Sequence, residues 1–131
     1  MILDTDFIIA LREERPAVVR KAAELEAPGA PLRVSVITVF ELYVGVGTGS
    51  KPIENQREYE ALIVNKPLVG IDENLARRAG VIEGVHYASN EKPQLGPADA
   101  LIAATGLQFN EAVVSTDEDF TSVDDLDVVS P

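Results

Sequence analysis

A chain of 131 residues, 46% of them apolar, fits one domain with a real core, which excludes both a disordered tail and a two-domain enzyme. The absence of cysteine excludes disulfides, thiolate nucleophiles and cysteine–zinc sites, and the single histidine, His86, excludes a multi-histidine cluster, leaving oxygen donors that suit hard cations. A net charge of −11 argues against a general nucleic-acid coat protein, whose phosphate contacts draw on a basic surface.

In chain order, Met1 to Asp4 predicts a short strand, and the Phe7-Ile-Ile-Ala-Leu run a helix with Asp6 as its N-cap. Pro16 suits the first turn of a helix over Ala17 to Glu26, which Ala27-Pro-Gly-Ala-Pro31 then stops. A second strand is predicted at Leu32 to Ser35, followed by a helix over Val36 to Val46, capped by Ser35 or Thr38. The Gly45-Val-Gly-Thr-Gly49 segment reads as a flexible turn ending that helix, and its spacing matches neither phosphate-binding fingerprint. Pro52 opens the next helix, Ile53 to Asn65. Pro67 to Ile71 is a third strand, and Asp72 caps a helix reaching about Ala88. Pro97 starts the most apolar helix, Ala98 to Leu107. Ala112 to Ser115 and Leu126 to Val129 complete five strands, so the expected class is a single α/β domain with a mostly parallel central sheet flanked by helices.

Four acids stand beside these start and stop signals: Asp4, Glu41, Asp99 and Asp117. Ligands of open α/β sheets sit beyond the carboxyl ends of the strands, where Asp4 and Asp117 are expected, while Asp99 lies in the first turn of its helix and Glu41 on the helix leaving the second strand. Carboxylates gathered from distant parts of a chain repel by roughly 4 kcal/mol per pair at ~4 Å and an effective dielectric of about 20, so a fold that gathers them needs a cation. The expectation is a Mg²⁺ or Mn²⁺ site for phosphodiester chemistry. Each acid also has an ordinary reading: Thr38-Val-Phe-Glu41 as a capping box, Asp99 as a dipole-favoured surface acid, Asp117 as a turn acid. Thr5, Asp6, Ser115 and Asp119 are expected around the site, where they would orient the four acids. His86 lacks partners at any triad spacing, and Arg12, Arg15, Arg77 and Arg78 are expected in surface ion pairs.

Met1-Ile-Leu-Asp-Thr-Asp, Ser35-Val-Ile-Thr-Val-Phe-Glu-Leu-Tyr-Val-Gly, Gly96-Pro-Ala-Asp-Ala-Leu-Ile-Ala-Ala and Val114-Ser-Thr-Asp-Glu-Asp-Phe together resemble the ordered motifs of PIN domains, most closely the VapC toxin branch. The resemblance covers essentially the whole chain. It implies a metal-dependent ribonuclease, the toxin of a type II toxin–antitoxin pair, with Asp4, Glu41, Asp99 and Asp117 in the family's acidic positions, a cognate antitoxin as partner, and a homodimer. Ser115 departs from it by standing where threonine is usual. The length, without a zinc-binding segment, favours a toxin over an RNA-processing enzyme of the same family.

A phosphoacceptor receiver domain is a rival α/β fold built around acids and Mg²⁺, but it needs a late lysine, and none follows Lys92. A PIN-like module kept only for binding is a further alternative. The lysines number four (Lys21, Lys51, Lys66 and Lys92), which fits a halophile, because molar salt shortens the Debye length to about 3 Å and screens an acidic surface from a polyanion; an ordinary acidic surface is the alternative. No run nears the ~20 apolar residues needed to span a bilayer, and the first residues lack the basic start of a secretion signal, so a cytoplasmic location without membrane contact is expected.

Overall fold

The computed structural model describes residues 1–27 and 29–131; Pro28, part of the predicted stop after the second helix, lies outside the described residues. Among the described residues, five short strands and six helices follow one another: β1 (Ile2–Leu3), α1 (Thr5–Arg12), α2 (Pro16–Leu25), β2 (Val34–Ser35), α3 (Val36–Thr48), α4 (Pro52–Ile63), β3 (Leu68–Val69), α5 (Glu73–Ala88), α6 (Pro97–Phe109), β4 (Val113–Val114) and β5 (Val128–Val129). A 3₁₀ turn, Glu118–Ser122, joins β4 to β5.

All pairings are parallel. β4 lies between β1 and β5, with Ile2 opposite Val113 and Leu3 opposite Val114, and β2 pairs separately with β3. Arg33 joins the two pieces: its N–H donates to the Met1 carbonyl at 2.8 Å, and its carbonyl accepts from the Leu3 N–H at 2.9 Å. The strand order is therefore 3-2-1-4-5. The chain leaves β1 toward β2 and later returns to β1's other side as β4, so the carboxyl ends of β1 and β4 flank a topological switch point, the usual place for a ligand in such a sheet.

Alternation along each strand divides the core between the two faces of the sheet. Leu3 and Val114 point to one face, where they meet Phe7, Ile8, Val18, Leu42 and Tyr59 from the helices on that side and Val34 of β2. Ile2 and Val113 point to the other, against Ile102, Ala103, Phe120 and Val123. α6 is covered on most of its circumference, as its composition predicts, because α5 packs on the side away from the sheet through Leu75, Ala79, Ala100 and Ala104.

The prolines mark helix starts as predicted: Pro16, Pro52 and Pro97 each sit in the first turn, where the missing N–H costs nothing, and Asp72 caps α5 by accepting from the Leu75 N–H at 2.8 Å. Two local expectations fail, the Asp6 cap and the glycine turn, and between the two caps offered for α3 the structure selects one. Asp4, and not Asp6, is the residue preceding α1, and its carboxylate accepts from the Thr5 N–H at 2.8 Å. Ser35 alone caps α3, through the Ile37 N–H at 3.2 Å, so Thr38 lies inside the helix and forms no capping box with Glu41. Gly45 and Gly47 are also inside α3, which runs to Thr48 before ending at Gly49. The buried residues Leu42 and Val46 hold this last turn against the core, and packing there overrides the ~1 kcal/mol per residue that glycine costs a helix.

Two glycine substitutions test this packing in opposite directions. A Cβ on Gly106 of α6 would lie 3.0 Å from the Glu111 carbonyl, 3.0 Å from a Val113 methyl and 2.9 Å from a Leu126 methyl, so Gly106→Ala is expected to destabilise by about 1–3 kcal/mol despite its better helix propensity. Gly47 meets open space, and Gly47→Ala is expected to stabilise by about 0.5–1 kcal/mol. Urea denaturation of both variants measures the difference, and a stabilised Gly106→Ala protein would show that the α6–β4 contact is looser than described.

Candidate metal centre

Strand β1 ends in a buried acid. Asp4 is 2% exposed, and its two oxygens are held by donors from opposite ends of the sequence: Oδ1 accepts from the Thr5 N–H at 2.8 Å, and Oδ2 accepts from the Ser115 hydroxyl at 2.7 Å. Ser115 follows β4 as directly as Asp4 follows β1, which is why two residues 111 positions apart meet. The Ser115 oxygen in turn accepts from the Asp117 N–H at 2.8 Å, and the Asp117 carboxylate accepts from the Asp119 N–H at 2.8 Å, capping the 3₁₀ turn. The serine that replaces the usual threonine thus keeps the hydrogen bonds that a hydroxyl at this position can make.

Glu41, half-buried on α3, is reached from α1. The Thr5 hydroxyl lies 2.6 Å from Glu41 Oε1, in the range of a charge-assisted bond, and 3.0 Å from the fully buried Thr38 hydroxyl. Asp99 is half-buried in the first turn of α6, Asp6 is exposed in the first turn of α1, and Asp119 is half-buried in the 3₁₀ turn.

These acids feel one another. Burial is the main reason that the Asp4 carboxyl is pushed up to about 7; the Ser115 hydrogen bond opposes the rise, and the negative charges of Asp6 and Asp99 add to it. Asp99 is pushed up to about 6, again first by burial and then by Asp117, Glu41, Asp6 and Asp119. All the candidate acids therefore share one neighbourhood at the carboxyl end of the sheet. Among the described residues, however, no three Asp, Glu or His side chains stand as a closed set of metal ligands. Like charges oppose closer approach, and Asp4, Glu41 and Asp117 each direct an oxygen to a protein donor.

Other residues singled out in the sequence lie outside this group. His86 is buried on α5, its Nδ1 2.8 Å from the Pro93 carbonyl, and so anchors the segment before α6. Arg12 pairs with Glu58, Arg15 with Glu13 at 3.4 Å and Arg77 with Glu73 at 3.1 Å; Arg78 has no ion pair among the described residues. The larger concavities also lie elsewhere. One of about 610 Å³ at the start of α4 is lined by Lys51, Pro52, Ile53 and Arg57, and by none of the candidate acids.

The model of the PIN domain matches residues 1–126. The chain belongs to the PIN domain family. By sequence, no curated protein matches it. Its fold is that of several solved structures: VapBC2 from Rickettsia felis bound to a DNA fragment from its promoter (TM-score 0.86, 19% identity, 98% of this chain and 96% of that one), VapBC-5 of the VapBC family of toxin–antitoxin systems from Mycobacterium tuberculosis (0.69, 22%, 98% and 94%) and FitAcB from Neisseria gonorrhoeae (0.71, 27%, 97% and 94%).

The donor set of this PIN domain fits the hard divalent cation that its family resemblance implies. Every side chain in the group offers oxygen, and each Asp4 oxygen keeps a lone pair beyond the single hydrogen bond it accepts. Two carboxyls, Asp4 and Asp99, raised toward neutrality by burial and by neighbouring acids are also groups whose ionised forms a cation would favour.

The pH dependence follows from the direction of these shifts. An acid with a higher pKa folded than unfolded holds more protons in the folded chain, so stability falls as pH rises from the unfolded value of 3.8 toward about 7, then levels off. With chelator present, the wild-type melting temperature is expected to be lower at pH 8 than at pH 5, and Asp4→Asn to remove much of that difference. An undiminished difference in the variant would place the effect in the rest of the acidic surface.

Proposed function

We propose that this PIN domain is a metal-dependent endoribonuclease and the toxin of a toxin–antitoxin pair. The observation that carries the reading is Asp4, a buried carboxyl at the switch point of a parallel sheet, with Asp6 and Asp99 close enough for their charge to add to the rise that burial causes in its pKa. Such a grouping destabilises the empty fold and is explained by a ligand of opposite charge. Full-length likeness to VapBC and FitAcB structures supports the toxin reading, and the sequence motifs support RNA as the substrate.

Asp4, Asp99, Asp117 and Glu41 would hold one or two Mg²⁺ or Mn²⁺ ions. When bound, such an ion supplies an acidified water and neutralises charge developing on a phosphate. The chain itself supplies the frame. Ser115 and the Thr5 amide fix Asp4, the Asp119 amide fixes Asp117, and the Thr5 hydroxyl fixes Glu41. Asp6 and Asp119, at the edge of the group, add negative charge where a phosphate would approach, so RNA would bind productively only to the cation-loaded site. The same charge would attract a basic side chain of a cognate antitoxin, and the family resemblance supports a homodimer. A cytoplasmic location goes with this reading; no helix among the described residues is long and apolar enough to cross a membrane.

The deciding experiment is cleavage of RNA with Mn²⁺ by Asp4→Asn and Asp99→Asn proteins. Each change keeps the shape of the side chain and removes its charge, and each is expected to lower the rate by about 100-fold or more. Full activity in both would reject the assignment. The halophilic reading of the surface is tested separately by the unfolding midpoint, which should rise from dilute to molar salt and would be salt-independent if the acidity were incidental.

A further inference from the structure

Thr38 is buried completely, and the proposed chemistry leaves it without a role. Its hydroxyl lies 3.0 Å from that of Thr5, which lies 2.6 Å from Glu41 Oε1. A hydroxyl has one proton and two lone pairs, whereas an ionised carboxylate only accepts. The single Thr5 proton therefore belongs to Glu41, and the bond between the two threonines must be donated by Thr38. The result is a directed chain in which the Thr38 hydroxyl donates to Thr5 and the Thr5 hydroxyl donates to Glu41.

We infer that Thr38 is a positioning residue for Glu41, acting through Thr5: by donating to the Thr5 oxygen it fixes the rotation of that hydroxyl, so that its proton points at the carboxylate. Glu41 has a long, rotamer-rich side chain, and holding it in one conformation costs side-chain entropy that a freely rotating partner would not offset. Thr5 is 5% exposed and Thr38 fully enclosed, so water does not compete for the hydroxyls, and polarisation along the chain strengthens its last bond. Thr38 and Glu41 lie three residues apart on one face of α3, and Thr5 is the first residue of α1. The chain thus ties the two helices that leave β1 and β2 at the same edge of the sheet. The inference rests on the metal-site reading for its consequence and on the hydroxyl geometry alone for its mechanism.

Removing the hydroxyl while keeping the shape is the test. Thr38→Val is expected to fold, to weaken Mn²⁺ binding in calorimetry by about tenfold and to slow RNA cleavage in proportion, as loss of a partner that orients a ligand does. Thr38→Ser should restore both to within about twofold of wild type, and in a Glu41→Ala background, which removes the acceptor, Thr38→Val should leave the residual Mn²⁺ affinity unchanged, because residues acting as one unit are not additive. An equal Thr38→Val effect in that background, or a Thr38→Ser protein as impaired as Thr38→Val, would overturn the inference and assign Thr38 to packing. Side-chain NMR couplings of Glu41, recorded on the metal-free proteins, separate this question from the nuclease reading. One fixed rotamer in wild type and Thr38→Ser, with averaging in Thr38→Val, supports the chain even if no Mn²⁺ binds; identical couplings in all three overturn it whatever the metal does.

Discussion

The site depends on one buried carboxyl and the two groups that hold it. Asp4 ends β1, caps α1 and accepts the Ser115 hydroxyl that ends β4, so a single side chain joins a strand, a helix and the far end of the chain. Enclosing a carboxyl raises its pKa, and nearby acids raise it further; two hydrogen bonds oppose that rise without abolishing it. The sheet secures the arrangement, because the pairing of Ile2 with Val113 and Leu3 with Val114 sets Asp4 beside Ser115. A one-residue slip of that register would turn both side chains to other faces and dissolve the group.

Much of the frame can be read in the sequence because its signals are local. Proline marks the starts of α2, α4 and α6, Asp72 caps α5, and the apolar runs fall on the strands, although each strand is paired over only two residues. The misplaced details have long-range causes. Asp6 looks as good a cap as Asp4 until the strand fixes where α1 begins, and glycines that read as a turn continue α3 because Val46 is held against the core. Thr38 reads as a cap from its own neighbours, and its contact with Thr5, 33 residues away, has no local signature. Asp4, Asp99 and Asp117 are legible because each stands at the end of an element, whereas Glu41, inside α3, is legible only through the motif around it. Their geometry is not, since hydrogen bonds from Thr5, Ser115 and Asp119 decide which oxygen points where.

The acidic surface and the proposed polyanionic substrate conflict only if the two meet without mediation. The basic side chains are largely committed elsewhere: Arg12 pairs with Glu58 and lies over the Tyr59 ring, Arg33 pairs with Glu111 over the Phe109 ring, and Lys92 reaches Asp124 and the Ser122 carbonyl. These contacts tie helices and strand ends together, and Arg78, which has no ion pair among the described residues, lies on α5, away from the candidate acids. Under the proposed function, cation-bridged capture at the switch point would bring such a substrate to an acidic molecule.

The parallel pairing of β1 with β4 also has a consequence for biogenesis. One edge of β1 meets Arg33 early, but its other edge waits for a partner more than a hundred residues later in the chain, and a chain that stops short of Val114 contains Asp4, Glu41 and Asp99 but neither the hydroxyl that holds Asp4 nor Asp117 and Asp119. Non-local closure of this kind is slow and comes late in folding. Under the proposed function a product cut before that point would lack a completed site, so the hazard of a nuclease to the cell that makes it would be deferred until β4 and the turn after it have been synthesised.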